Sequence, residues 1–425
     1  MVGLAAGTAW AVSGMQPEAP PATVVVQVTS PPPTVPELTL EQTELPTPPE
    51  RVTGDSFHRG DQGRSGFVAN AGPREVNGYY WRFSTAARID ASPVAYGSNV
   101  LVGSADGTFY ALDQTTGSES WRMATGGEIS AAPGMGQVTL GEGQSAMLAL
   151  VVSHDGTIRA RDAIQVGRPE VWSTPRSLGA AIRSSPVVYE NRVAVATSTG
   201  VVYGLDLDSG EVVWTYPDAE STDAGLGPVS AALSLDDDGI LYVGTEGGEL
   251  HLVDMADGAN LCVFSAGEAI TVNPIVADGV VYVPTRGFTI HTLPAGACAG
   301  SVPNRLQLYI TERAVEIAPA VVGDVMYLPD GRFLYAIDLR PDRESADLWP
   351  PSTVAAEGLI TAAPVVANDT VYFGSADGVV HAVDATDGSA LWTWRTGNTV
   401  QGSPAVVDGM VFIASRDGWV YAVGP

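Results

Sequence analysis

The sequence predicts an all-β protein, an eight-bladed β-propeller of four-stranded antiparallel blades closed by an N-terminal strand that completes the last blade. Three observations predict it. First, a small residue followed by proline recurs eight times, at Ser92-Pro93, Ala132-Pro133, Ser185-Pro186, Gly227-Pro228, Asn273-Pro274, Ala318-Pro319, Ala363-Pro364 and Ser403-Pro404. The prolines are 40, 53, 42, 46, 45, 45 and 40 residues apart, a spacing typical of stacked supersecondary repeats. Second, each unit reads as four short strands. Third, the last unit stops one strand short, while an orphan strand precedes the first.

The best-preserved unit spans residues 363–394. Its strands read PVV, TVYFGS, VVHAVD and ALWTW, separated by glycine-containing turns. β-Branched and aromatic runs bounded by Asp-Gly and Thr-Gly turns are the pattern of an antiparallel meander. One such sheet cannot bury both faces alone. Stacking units around an axis solves this and leaves only short edges.

The third strand carries a register. Its motif ends at Asp113, Asp162, Asp206, Asp254, Pro294, Asp338, Asp384 and Gly424. Three positions earlier stand Tyr110, Arg159, Tyr203, His251, His291, Tyr335, His381 and Tyr421. Two positions earlier stand mostly small residues, among them Ala111, Gly204, Ala382 and Ala422. Adjacent positions of a strand face opposite ways. One face therefore carries polar-tipped rings, and the other leaves room for something large. That is expected to be the fourth-strand tryptophan: Trp121, Trp172, Trp214, Trp349 and Trp392. Units four and five depart, with Cys262-Val263-Phe264 and the region 306–308 in its place. A buried indole removes up to ~250 Å² from water, at most ~6 kcal/mol at ~25 cal/mol/Å².

The eighth unit ends at Pro425, directly after its third strand. The orphan strand Tyr79-Tyr80-Trp81-Arg82-Phe83 resembles a fourth strand, so Trp81 is expected to close the ring.

Upstream, residues 1–15 are apolar and read as the remnant of a signal or membrane anchor. Residues 16–53 are rich in proline and threonine and read as a disordered linker. Residues 54–77 are a leader expected to pack on the propeller of residues 78–425.

The net charge is −27, and all 21 basic residues are arginine. So acidic a chain repels phosphate backbones, which argues against nucleic acid as a partner. The absence of lysine excludes Schiff-base chemistry. Two cysteines, Cys262 and Cys298, are too few for a zinc module, and in an oxidising compartment they form a candidate disulfide.

The core Ala105-Asp106-Gly107, Tyr110-Ala111-Leu112-Asp113, Gly117 and Trp121-Arg122 resembles the pyrroloquinoline-quinone-like repeat of the BamB and quinoprotein-dehydrogenase superfamily. The leader, with Arg59-Gly60-Asp61 and Arg64-Ser65-Gly66, is similar to a segment that often precedes such propellers. The resemblance covers residues 54–425 and implies the fold. It leaves function open, because enzymes, assembly factors and sensors share that fold. The dehydrogenases carry a vicinal cysteine disulfide under the quinone and a calcium site of Glu, Asn and Asp. Here the cysteines are 36 residues apart and no such set is recognisable, so no cofactor is expected. A lipobox cysteine of the BamB type is not seen before Cys262.

Several residue groups have the composition of sites. His251, His291 and His381 share one strand register and read as packing residues rather than metal ligands. Asp236-Asp237-Asp238-Gly239 lacks the spacing of a calcium loop and reads as a solvated turn. Arg59-Gly60-Asp61 matches an adhesion tripeptide by chance. No catalytic or metal residues are assigned. The loops between strands four and one and between strands two and three bring Arg88, Asp90, Glu128, His154, Asp155, Arg183, Glu246, Arg286, Arg332 and Arg416 to one face. Arginines gathered at one mouth suit an anionic small ligand or partner.

The expected function is a monomeric, non-enzymatic, extracytoplasmic scaffold, tethered to a membrane and binding an envelope or membrane protein. The alternatives are a ligand-sensing outer domain of a membrane receptor or kinase, and a quinone-dependent dehydrogenase.

Overall fold

Valine-rich runs between glycine turns form eight sheets, one per sequence unit. The computed structural model describes residues 58–139, 144–165, 170–172, 174–218, 226–229, 232–287, 289–297, 314–340, 347–350 and 353–425, together with the backbone of Glu37–Leu38. Blade 1 is typical: Val94–Tyr96, Asn99–Gly103, Thr108–Asp113 and Glu119–Ala124 pair in sequence order, all antiparallel. Blade 5 has three strands among the described residues, and the region 306–308 lies outside them. Residues 1–15 and 16–36 also lie outside them, as do residues 39–57.

The eighth blade is built from both ends of the chain. Gly78–Ser84 pairs antiparallel with Trp419–Gly424, setting Trp81 opposite Ala422. The hydroxyl of Tyr80 donates to the carbonyl of Pro425 at 2.6 Å, and the Asn77 N–H donates to Gly424 at 3.1 Å. Blade 7 gains two parallel additions, Glu37–Leu38 on its outer strand and Phe67–Val68 on its inner strand.

The hydrophobic core is divided into eight clusters, one at each junction between neighbouring blades. Four junctions share a docking geometry. The Trp81 indole N–H donates to the Gln114 carbonyl of blade 1 at 2.9 Å, Trp172 to Leu207 of blade 3 at 2.9 Å, Trp214 to Met255 of blade 4 at 3.1 Å, and Trp349 to Ala385 of blade 7 at 3.2 Å. Each acceptor stands three residues before a turn glycine of positive φ: Gly117, Gly210, Gly258 or Gly388. A Cβ on those glycines would come within 2.4–2.9 Å of the same indole. The turn thus needs glycine twice, for its left-handed backbone and for the ring lying on it. The small third-strand residue completes the seat, since Ala111, Gly204 and Ala382 pair directly opposite Trp121, Trp214 and Trp392. Trp172 and Trp349 differ from the sequence reading in lying in bends, just before the short outer strands Arg176–Ser177 and Val354–Ala355.

Three further junctions depart for identifiable reasons. In blade 2 the carbonyl of Ala163, which would receive Trp121, accepts the Asn99 side chain at 2.9 Å instead. Trp121 is held by the Arg161 guanidinium 4.5 Å from its ring centroid and by Phe109. Blade 8 ends without a fourth-strand turn, and the leader supplies the acceptor: the Pro73 carbonyl takes the Trp392 indole and the Tyr372 hydroxyl, each at 2.9 Å. Between blades 4 and 5, which lack the tryptophan, the Tyr242 hydroxyl donates to Asp236 at 2.8 Å and accepts the Gly296 N–H at 2.9 Å.

The polar-tipped register has a matching explanation. The Tyr110 and Tyr421 hydroxyls donate to Asp106 and Asp417, the aspartates of their own second-to-third-strand turns, at 2.8 and 2.7 Å. Those aspartates, with Asp155 and Asp377, accept an N–H from the loop that enters the blade: Ala86, Gly126, Gly358 or Gly397.

Two outcomes are expected. Gly258→Ala should lower the thermal midpoint through a strained backbone and a displaced Trp214, while Trp214→Ala should cost about 3–5 kcal/mol in denaturant unfolding. Acid should also loosen the ring. Burial pushes Asp106, Asp155 and Asp377 up, but hydrogen bonds outweigh it and hold all three below the ordinary carboxyl range. A folded-state pKa below the unfolded value gives stability that is full above the unfolded carboxyl value of about 4. That stability is lost as pH falls through the folded values. Melting between pH 5 and pH 2 should show the loss, and Asp155→Asn should flatten it.

Candidate functional site

The two open ends of the ring have different chemistry. At the first, formed by the loops that enter each blade and by the second-to-third-strand turns, one backbone bond recurs. Ala105 N–H donates to Arg88, His154 to Glu128, Glu246 to Pro228, Arg286 to Ala269 and Arg416 to Thr399, at 2.9–3.2 Å. This bond pins each turn to its incoming loop, so side chains at these positions stand in equivalent places around the mouth.

Half of the mouth is neutralised internally. Arg88 pairs with Asp90 at 2.9 Å and with Glu128 at 2.7 Å, and Arg416 pairs with Asp90 at 2.5 Å. Asp90 thereby joins blade 8 to the loop entering blade 1, and Arg88 extends the chain of charges to blade 2. His154 lies beside them, with its Nε2 2.8 Å from Ser130 Oγ. Burial lowers its pKa, Arg183 and Arg88 lower it further, and Glu128 and Asp90 oppose them. The imidazole is therefore neutral at pH 7. The structure brings these groups together, with Arg88 and Arg416 sharing the Asp90 carboxylate. Arg183 and Arg286 have no ion-pair partner among the described residues, and Arg332 lays its guanidinium 5.0 Å from the Phe333 ring centroid.

The opposite end is occupied by the leader, whose role at the axis the sequence did not reveal. It winds past the innermost strands of successive blades. The carbonyls of Gln62, Gly63, Ser65 and Gly66 accept N–H groups from Leu235, Val276, Val321 and Val366, in blades 4 to 7, at 2.7–3.2 Å. The Gln62 side chain accepts Val188 N–H of blade 3 at 3.2 Å, and Asn70 donates to Val406 of blade 8 at 3.4 Å. Inner-strand edges that would otherwise face the channel unpaired are thus satisfied by the chain itself.

Arg59 and Arg64, 3% and 4% exposed, fill the axis. Arg64 donates to the carbonyls of Leu233, His58 and Pro186 at 3.3 Å each, and Arg59 to the Pro319 carbonyl and to Asn273. Burial pulls Arg59 down to about 9 and Arg64 to about 10, so both remain charged at neutral pH. Burial, with these two cations adding to it, drives His58 well below its ordinary value. The adhesion-like tripeptide is thus a turn with a buried Arg59 and an exposed Asp61, whose carboxylate accepts the Ser65 N–H at 2.9 Å. A run of two arginines among glycines ahead of the repeats was the available signal.

Other residues have structural places. His251 accepts or donates to Tyr216 at 2.9 Å, His291 meets the edge of Phe264, and His381 stacks on Phe373 at 4.8 Å. Asp236 caps a turn, accepting from Asp238 and Ile240 N–H groups. Cys262, on the outer strand Asn260–Ser265, is disulfide-bonded, and Cys298 lies outside the described residues.

These residues do not fit a quinone cofactor. A cysteine bonded on an outermost strand cannot form a vicinal pair at the axis, and the leader crosses the axis with two buried guanidiniums. Among the described residues, no three of His, Cys, Asp and Glu are grouped to hold a metal ion.

Comparison with known proteins matches this geometry to one family. The family model described as outer membrane protein assembly factor BamB matches residues 77–225, 167–261, 218–341 and 334–424. The chain is 23% identical over 355 residues to the outer membrane protein assembly factor BamB of Burkholderia pseudomallei, covering 80% of this chain and 85% of that one. The crystal structure of BamB from Moraxella catarrhalis superposes with a TM-score of 0.59 at 19% identity, over 82% of this chain and 97% of that one. The quinohemoprotein alcohol dehydrogenase of Comamonas testosteroni superposes with a TM-score of 0.63 at 15% identity, over 87% and 80%. At these identities the two structures show a common fold alone.

The charged seam across blades 8, 1 and 2 gives a measurable expectation. Its arginine side chains are 41–48% exposed, which limits each pair to roughly 0–1 kcal/mol. Asp90→Asn should lower the thermal midpoint by about 1–2 °C at low salt, and the difference should shrink at ~1 M salt.

Proposed function

The chain belongs to the family of the outer membrane protein assembly factor BamB, and on that footing we propose that it is a non-catalytic, extracytoplasmic scaffold that holds an envelope protein at its arginine mouth. The observation that carries the reading is the division of charge at that mouth. Arg88 and Arg416 fix the loops through Asp90 and Glu128, while Arg183, Arg286 and Arg332 make no ion pair among the described residues. A rim of guanidiniums without ion-pair partners among the described residues, on a strongly acidic chain, selects a partner that presents carboxylates, by steering and by bidentate hydrogen bonds. The same chemistry suits an anionic small ligand. It does not suit nucleic acid at a net charge of −27.

The family's name, outer membrane protein assembly factor, supports a membrane-protein partner for this chain. We assign the propeller to the extracytoplasmic side on the same ground, with the proline-rich residues 16–53 as its tether. Membership in this family favours neither a receptor domain nor a dehydrogenase, and the leader-filled axis argues against the latter.

The purified chain, immobilised and incubated with detergent-solubilised envelope, is expected to retain a membrane protein that a charge-matched acidic control does not. Arg183→Glu with Arg286→Glu should reduce that retention at least ~10-fold, as expected for rim charges facing carboxylates. Retention that ignores both reversals would sink the assignment of the mouth. Calcium-dependent dye reduction after incubation with the quinone would select the oxidoreductase instead.

A further inference from the structure

We propose that the leader end of the ring is a second docking site, which takes an extended segment of a partner protein alternating basic and apolar side chains. A cavity of about 860 Å³ opens there, between the leader and the inner strands of blades 2 to 6. It lies on the face opposite the arginines, because the turns joining first and second strands form its rim. Its size is that of a specific binding cleft.

The walls are apolar where they are exposed. Phe67, 40% exposed, projects from the leader, and the half-buried Met135 and Met147 face the same space from blade 2. An exposed phenylalanine and two thioethers lining one cavity give an adaptable surface for aliphatic side chains. The rim is acidic. Asp237, Asp238 and Asp278 are exposed, and no cationic partner is found for their carboxylates among the described residues.

The cations lining the cavity make no ion pair with that rim, and the single Arg64 charge stands against three rim carboxylates. All three nitrogens of Arg64 are spent on backbone carbonyls, and His58 is held neutral by burial and by its arginine neighbours. Charge complementarity therefore calls for a cationic occupant, and the apolar wall calls for one with apolar side chains between its charges. An extended segment supplies both at a two-residue period. A second copy of this chain, at −27, does not fit. This inference rests on the scaffold reading and adds a second surface with the opposite preference.

The test uses the full chain and a fluorescein-labelled ten-residue probe alternating arginine with leucine. Fluorescence anisotropy is expected to show saturable binding. Asp237→Asn, Asp238→Asn and Asp278→Asn together should weaken it at least ~10-fold, and so, separately, should Phe67→Ala. Arg183→Glu with Arg286→Glu should leave it unchanged. Probes alternating glutamate with leucine, or arginine with serine, should bind at least ~10-fold more weakly. Equal binding of the arginine–serine probe would reduce the effect to diffuse charge attraction and overturn the proposal. So would unchanged binding by the triple variant. So would Ca²⁺ that displaces the probe from the native chain and fails to bind the triple variant, which would make the rim a cation site. The three aspartates lie on exposed turns, and thermal melting of each variant confirms that the readout is binding. Envelope-protein retention is scored through Arg183 and Arg286, so failure of the probe leaves the scaffold reading standing.

Discussion

The structure depends on a sheet of four strands having two apolar faces and no partner within itself. Each blade must lend one face to each neighbour, and the eight core clusters sit at those junctions. The indole seat is the recurring local solution. It joins a large side chain on one blade to a carbonyl and a glycine of the next, so a single contact sets both the spacing and the orientation of two sheets. Where the seat is missing, a different contact bridges the blades, as the Tyr242 hydroxyl does by accepting the Gly296 N–H between blades 4 and 5. The repeat motif is thus half of an interface that is completed by the next copy.

A ring of this kind leaves two problems at its ends. The last blade needs a fourth strand and an acceptor for its neighbour's tryptophan, and the inner strands need partners for their edges. One stretch of chain ahead of the first blade answers both. Gly78–Ser84 completes blade 8, Pro73 receives Trp392, and residues 62–66 cap the inner edges of blades 4 to 7. The arginines at the axis are buried because they donate to carbonyls that a dry channel would leave unsatisfied.

This division of labour shapes what the molecule can do. The axis, where a propeller enzyme would place its chemistry, is filled by structural groups. The two mouths have opposite character. One carries guanidiniums on loops stiffened by Asp90. The other joins exposed carboxylates to an apolar wall. A scaffold with two unlike ends can hold two unlike partners, or two parts of one, in a fixed relation.

The repeat period, the missing last strand and Trp81 determined the blade number and the closure, because these are properties of spacing and of local strand pattern. The alternation of tyrosine or histidine with small residues likewise assigned faces to the third strand. What the sequence could not determine was set by contacts between residues far apart in the chain. The sequence puts Arg88, Asp90 and Arg416 at one mouth, and the packing of blade 8 against blade 1 places Asp90 between the two arginines. Arg59 and Asp61 read as a chance tripeptide until the leader was threaded along the axis. Trp121 read like its counterparts until the Asn99 side chain was found on the carbonyl it would have used. Local pattern specifies which face of a strand is buried. Whether a charged side chain ends up paired, buried or exposed depends on what the closed ring places opposite it, and only the tertiary structure decides that.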